Sequence, residues 1–253
     1  MPPVTHALWT KLDLLTVPQL HQAIEAIIQE GRTELVLNVN IHCMNLAYKL
    51  PWLRQLLNEA PIVFCDGFGV ALGLRLFAGV RVPERITYAD WAWQLAEFCS
   101  ERGYSLYFVG GRPGVAREAG ERLRQRYPQI KIAGYDHGYF DRNGPENEAV
   151  ISRINAARPN VLIIGFGMPL QEEWLGRNRR ALNANVLLTG GAVFDYVSGR
   201  TARGPRFLVD HGAEWLVRLV QEPRRLWLRY VVGNPIFLYR AWRWTRARGR
   251  ATT

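Results

Sequence analysis

The 253-residue chain is poor in cysteine and lysine and has no long uncharged run. Three cysteines (Cys43, Cys65, Cys99) cannot all pair, and none stands in a C-x-x-C. That excludes a disulfide scaffold, argues against a structural zinc site and points to the reducing cytosol. The longest stretches free of Asp, Glu, Lys and Arg, 35–48 and 181–194, reach about 14 residues, short of the roughly 18–20 a spanning helix needs. The opening MPPVTHALWTKLD has no basic region followed by an apolar one, so no secretory signal is expected. Also missing are G-x-x-x-x-G-K-[ST], a full G-x-G-x-x-G with a suitably placed acid, D-x-D, H-E-x-x-H and G-x-S-x-G. Their absence argues against a P-loop NTPase, a nicotinamide enzyme, a metal-held diphosphate and a serine hydrolase. No cofactor and no metal is expected. With 48% hydrophobic and 21% charged residues the chain is too apolar for disorder. Its length suffices for one large core, or one core plus a small appendage.

What is abundant is arginine. Lys+Arg number 32 against 22 Asp+Glu, a net charge of +10. Only Lys11, Lys49 and Lys131 are lysines, so 29 of the 32 are Arg. From residue 200 onward 12 Arg face Asp210, Glu214 and Glu222, a net of +9, so nearly all the excess sits in the last fifth of the chain. A bias towards Arg explains Arg over Lys everywhere; it does not explain this localisation. A basic end implies an anionic partner: lipid head groups, nucleic acid or a phosphorylated substrate. Segment 226–244 mixes Arg with Trp227, Tyr230, Phe237, Tyr239, Trp242 and Trp244. Such a mixture suits an anionic membrane surface, with rings in the apolar edge and guanidinium groups on phosphates. It equally suits helices packed on the core, divided at Pro223 and Pro235. No nucleic-acid motif is present, so nucleic acid is not expected as a partner.

The chain alternates short apolar runs with helix-like stretches. Runs at 34–38, 61–65, 104–110, 129–135, 160–167 and 185–191 close on Gly or a polar residue. Helical spacing or composition marks 17–30, 87–102, 113–127, 145–157 and 169–182, three of them opening on Pro. The pattern predicts an α/β fold, a Rossmann-like doubly wound parallel sheet over 1–195, with a basic helical appendage over 196–253.

In such sheets ligands gather at the carboxyl ends of the strands. There stand Asn38 and Asn40 with His42 close behind, Asp66 in CDGFG, Gly110 and Gly111 in GGRPG, Gly167, Gln171 and Glu172 in GFGMPLQE, and Gly191 and Asp195 in GGAVFD. Three candidates carry two readings. GGRPG is a phosphate cradle or an ordinary tight turn. Asp66 is a general base or the N-cap of a helix starting near Phe68. Arg85 binds an anion or pairs with Glu84. Cys43 and Cys65 read as core residues.

Taken together, CDGFG (65–69), PERITYAD (83–90), YFVGGRPG (107–114), YPQIKIAGYDHGYF (127–140), GFGMPLQEEW (165–174), GGAVFDYVSG (190–199), RGPRF (203–207) and GAEWLVRLVQEPRRLWLRY (212–230) resemble the WecG/TagA/CpsF family of bacterial glycosyltransferases. The resemblance implies a Rossmann-like core of the type called GT-E. It implies transfer of a sugar from a UDP-sugar to a polyprenyl-diphosphate-linked saccharide, with inversion and without a metal, for cell-surface polysaccharide. The enzyme would be peripheral, on the cytoplasmic face of the membrane. In this reading Asp66 is the general base, Asn40, Arg85 and Gln171 line the donor or acceptor pocket, and Arg218, Arg225 and Arg229 close over the site and neutralise the departing diphosphate. The chain departs from the family at Asn38 (usually Thr), Tyr88 (usually Gly) and Gly204 (usually Ala). The expected sugar is N-acetylmannosamine, its uronic acid or glucose. Homo-oligomers are left open. The competing class is a non-catalytic module binding a membrane surface or a phosphorylated ligand.

Overall fold

The computed structural model describes residues 3–205, 207–208 and 212–249. Arg206, Asp210 and Arg250 of the basic tail lie outside them. Strands β1 (Val4–Thr5), β2 (Leu12–Asp13), β3 (Glu34–Val39), β4 (Ile62–Cys65), β5 (Ser105–Gly110), β6 (Lys131–Asp136), β7 (Val161–Gly165) and β8 (Val186–Thr189) follow the order β1-β2-β4-β3-β8-β7-β5-β6. β1 is antiparallel to β2. The pairs β2–β4, β3–β8, β7–β8, β5–β7 and β5–β6 are parallel. The expected α/β, Rossmann-like class is the one found. The six runs read from the sequence are β3 to β8, each within a few residues of its expected bounds.

Internal contacts group the chain into two compact units. The first takes Met1–Thr16, Asn38–Ile86 and Ala202–Thr253. Its helices are α2 (Ile41–Lys49), α3 (Pro51–Glu59), α4 (Phe68–Ala78), α10 (Glu214–Gln221), α11 (Pro223–Trp227) and α12 (Gly233–Gly249), with a π-helical turn Leu228–Val232 before α12. Pro223 opens α11 as a first-turn residue. Pro235 does not divide the tail: it lies inside α12, which continues directly from the π-helical turn. Phe237 of α12 is completely buried. A Cβ on Gly73 would stand 2.8 Å from its ring, so α4 approaches α12 this closely because residue 73 has no side chain. Trp9 meets Tyr48, Phe237 and Trp244 edge-on at 5.1–6.0 Å. Asn45 donates to the Gly233 carbonyl (2.7 Å) and accepts from Arg240 (2.8 Å). Burying a side chain of this size stabilises by about 1.5–3 kcal/mol, so Phe237 is a principal anchor of the tail.

The second unit takes Val17–Leu37 and Thr87–Thr201. It holds α1 (Val17–Gln29), α5 (Tyr88–Arg102), α6 (Val115–Arg126), α7 (Pro145–Ala157), α8 (Leu170–Asn178) and the short α9 (Val193–Val197). β7 and β8 are buried along their whole length, as continuous apolar strands in a covered parallel sheet must be. His21 stacks on Phe98 at 4.6 Å and accepts from the Trp91 indole at 3.0 Å. Burial holds that imidazole neutral, with its pKa down to about 4. Of the three expected helix-opening prolines only Pro145 opens one. Pro113 lies upstream of α6, which is entered through Gly114 in the left-handed region (φ 89°). Pro169 occupies the position before α8.

Candidate active site

In the first unit the site is built at the ends of β3 and β4. The Asp66 N–H donates to the Val39 carbonyl (2.8 Å), and Asp66 forms a parallel bridge to Ile86. Asn38, buried near the end of β3, donates from its amide to the Asp66 carboxylate at 3.1 Å. The N-cap reading of Asp66 is not the one the structure takes. α4 begins at Phe68 with Gly67 at the N-cap, at φ 83°, a backbone that an ordinary side chain disfavours. The Asp66 carboxylate instead accepts from Asn38. Asn40 is itself an N-cap: its side-chain oxygen accepts from the Cys43 N–H (3.1 Å) at the start of α2. Arg85, half-buried, precedes the Ile86 whose carbonyl accepts from the Gly67 N–H at 2.9 Å.

Three tail arginines belong to this same unit. Arg229 is half-buried, with its guanidinium 5.5 Å from the Tyr230 ring centre. Burial lowers its pKa, Arg218 and Arg225 lower it further by repulsion, and Tyr230 and the Asp66 carboxylate act in the opposite sense. Arg229 therefore feels both the two arginines and the Asp66 carboxylate. Arg225 is exposed and also pairs with Glu222 at 2.7 Å. His42, in the first turn of α2, has its pKa lowered to about 4 by burial and by the charge of Arg229. The cluster can orient a carboxylate and hold a multiply charged anion. The sequence assigns His42 no site role, although its place two residues beyond Asn40 at a strand end is a signal for one. Cys43 and Cys65 are buried thiols; burial, with the nearby Asp66 charge, pushes Cys65 up to about 12, which fits the core reading.

The second unit holds the remaining candidates. At the end of β5 the Gly111 N–H donates to the Gly165 carbonyl (3.3 Å), and its own carbonyl accepts from Gly138 (2.8 Å). The GGRPG turn thus spends the Gly111 amide internally. Gln171 is completely buried and reaches no solvent. Its side-chain oxygen accepts from the Gly167 N–H (3.2 Å) and the Gly191 N–H (2.9 Å). Its nitrogen donates to Glu172 Oε1 at 2.9 Å. Glu172 is equally buried, and burial pushes its carboxyl up to about 7. Asp195, half-buried on α9, accepts through its backbone carbonyl from Thr201 (2.9 Å). The structure joins Asn38 to Asp66, and Gln171 to Gly167, Gly191 and Glu172.

The sequence matches the glycosyl transferase WecG/TagA/CpsF family over residues 5–251, and the chain belongs to that family. Among its relatives is the N-acetylglucosaminyldiphosphoundecaprenol N-acetyl-beta-D-mannosaminyltransferase of Bacillus spizizenii. The two are 30% identical over 183 residues, which is 72% of this chain and 69% of that protein.

Proposed function

We propose that this glycosyltransferase moves a sugar, N-acetylmannosamine first among the candidates, from a UDP-sugar to a polyprenyl-diphosphate-linked saccharide in cell-surface polysaccharide biosynthesis. The name of the Bacillus relative supports both the sugar and the lipid-linked acceptor. The observation that carries the reading is the Asp66 carboxylate, oriented by Asn38, in the electrostatic neighbourhood of Arg229 and through it of Arg218 and Arg225.

The chemistry follows from those groups. The acceptor hydroxyl oxygen forms a bond to the anomeric carbon, and the bond from that carbon to UDP breaks. Asp66 takes the hydroxyl proton, a role worth roughly 10²–10⁴ in rate. UDP leaves with new negative charge, and each guanidinium bonded to it contributes about 1.5–3 kcal/mol. One carboxylate suffices for inversion, because the acceptor itself is the nucleophile. Arginine carries the charge that a metal would otherwise neutralise. Asn40 and Arg85 line the pocket around Asp66.

The acceptor is a lipid, and the tail offers a surface for one. Among the described residues no helix is long and apolar enough to cross a membrane. α10 buries none of its residues, and Val220 and Leu228 are 81% and 73% exposed beside Trp227, Arg224 and Arg225. Exposed apolar groups mixed with arginine suit peripheral attachment to the anionic cytoplasmic face. The test is incubation of the full chain with a panel of UDP-sugars and a short-prenyl diphosphate-linked N-acetylglucosamine. Disaccharide product from one donor is expected. Product from none would refute the reading in favour of a non-catalytic binding module.

A further inference from the structure

We propose that Glu172 is a positioning residue, which holds the Gln171 carboxamide in the one orientation that fastens the glycine turns after β7 and β8. Its effect on turnover rests on the glycosyl-transfer reading; its effect on the two turns does not. Gly167 and Gly191 both lie in the left-handed region, at φ 80° and 56°. Each turn gives its backbone N–H to the same acceptor, Gln171 Oε1, at 3.2 and 2.9 Å. One side chain therefore ties together the ends of two neighbouring strands.

A carboxamide is nearly the same shape after a 180° flip, so something must choose between its two orientations. Flipped, the NH₂ group would face two N–H donors, and the oxygen would face the Glu172 carboxyl. All three bonds would be lost. Glu172 completes the choice that the two N–H groups begin: it is completely buried and takes the Gln171 Nε2–H on Oε1 at 2.9 Å. No ion pair is formed by it among the described residues, and its Oε2 is enclosed without a hydrogen-bond partner there. A carboxyl placed so costs stability that a core leucine would not. What it does that leucine cannot is accept from Gln171.

The experiment compares wild type with Glu172→Leu, Glu172→Gln, Gln171→Glu and the exchanged pair Gln171→Glu/Glu172→Gln. Two readouts are taken: hydrogen exchange at the Gly167 and Gly191 amides by NMR, and kcat and KM for sugar transfer. Glu172→Leu should speed exchange at both amides at least about 10-fold and lower kcat by a similar factor. Glu172→Gln keeps an acceptor and should recover most of that loss. Gln171→Glu sets carboxyl against carboxyl and should fail in both readouts. Adding Glu172→Gln supplies the missing donor and should restore both. Unchanged amides in Glu172→Leu, or an exchanged pair no better than Gln171→Glu alone, would overturn the proposal. The exchanged pair keeps the test decisive should Glu172→Leu not fold. If wild type transfers no sugar while the amides follow this pattern, the transfer reading fails and the positioning role stands.

Discussion

The Asn38 side-chain amide donates to the Asp66 carboxylate across 3.1 Å, linking residues 28 apart in sequence at the ends of the neighbouring strands β3 and β4. A carboxylate held on one oxygen by a buried amide has a fixed direction in which its other lone pairs point. That is what a general base needs before the acceptor hydroxyl arrives.

Replacing Asn38 removes the orientation and leaves the acid. A hydrogen bond to a charged group is worth about 1.5–3 kcal/mol, so Asn38→Ala should lower kcat by roughly 10–100-fold. Asn38→Thr carries the hydroxyl that the family usually has at this position and should retain more activity than Asn38→Ala. Steady-state kinetics of the two variants decide it; wild-type kcat in Asn38→Ala would mean that the bond to Asp66 does not matter.

Arg229 is the tail residue with the clearest conflict between stability and activity. Burial and two neighbouring arginines work against its charge. Arg229→Met should cost roughly 10–100-fold in kcat while Tm holds or rises. A fall in Tm with unchanged kcat would make it a structural residue. In the same variant the His42 pKa, read by NMR, should move up from about 4, because one of its two depressing causes is gone.

Two opposed titrations shape stability between pH 4 and 7. His21 and His42 have folded pKa values of about 4, below the ordinary 6.5. The native state therefore binds fewer protons than the unfolded chain, and stability is lost as pH falls from about 6.5 to 4. Glu172, raised from 4.5 to about 7, works in the opposite sense: its native carboxyl keeps its proton, and stability is lost as pH rises through that window. The second effect is on the order of a few kcal/mol. The Glu172 effect is read as a difference: between pH 5 and 8 the urea midpoint of wild type should rise less than that of Glu172→Gln, in which only the histidines titrate. Identical pH profiles in the two proteins would remove Glu172 from that role.

Phe237→Ala tests how the tail is held. Removing a fully buried ring costs about 3–5 kcal/mol. Because Phe237 fills the space left by Gly73, the loss should loosen α12 and carry the preceding arginines with it. Thermal denaturation should show the destabilisation, and sugar transfer should fall although no charge was altered. Full activity would show that the arginines do not depend on this contact.

Much of the fold was legible because strands β3 to β8 are apolar runs closed by Gly or a polar residue. α7 was legible to the residue, because Gly144 precedes Pro145 and acids fill its first turn. The two-residue strands β1 and β2 are too short to carry a period. Pro113 misled because the turn before α6 is made by Gly114, which no spacing rule distinguishes from a helix interior. At the site, Asp66 was visible as an acid at a strand end. Its bond to Asn38 was not, because it depends on which strands lie side by side. Gln171 reads as a pocket residue from its position; only the neighbouring ends of β7 and β8 show that its oxygen is committed to two backbone amides. His42 was overlooked because an imidazole in a helix's first turn is unremarkable until the tail brings Arg229 near it.

The account stands or falls on Asp66, and single-turnover transfer by Asp66→Asn tests it most directly. The variant keeps the shape and the Asn38 contact but cannot take a proton. With saturating donor and acceptor, the chemical step should slow by at least about 10²-fold while UDP binding is retained. A rate within a few-fold of wild type would mean that another group removes the proton, and that the carboxylate at the end of β4 has a different task.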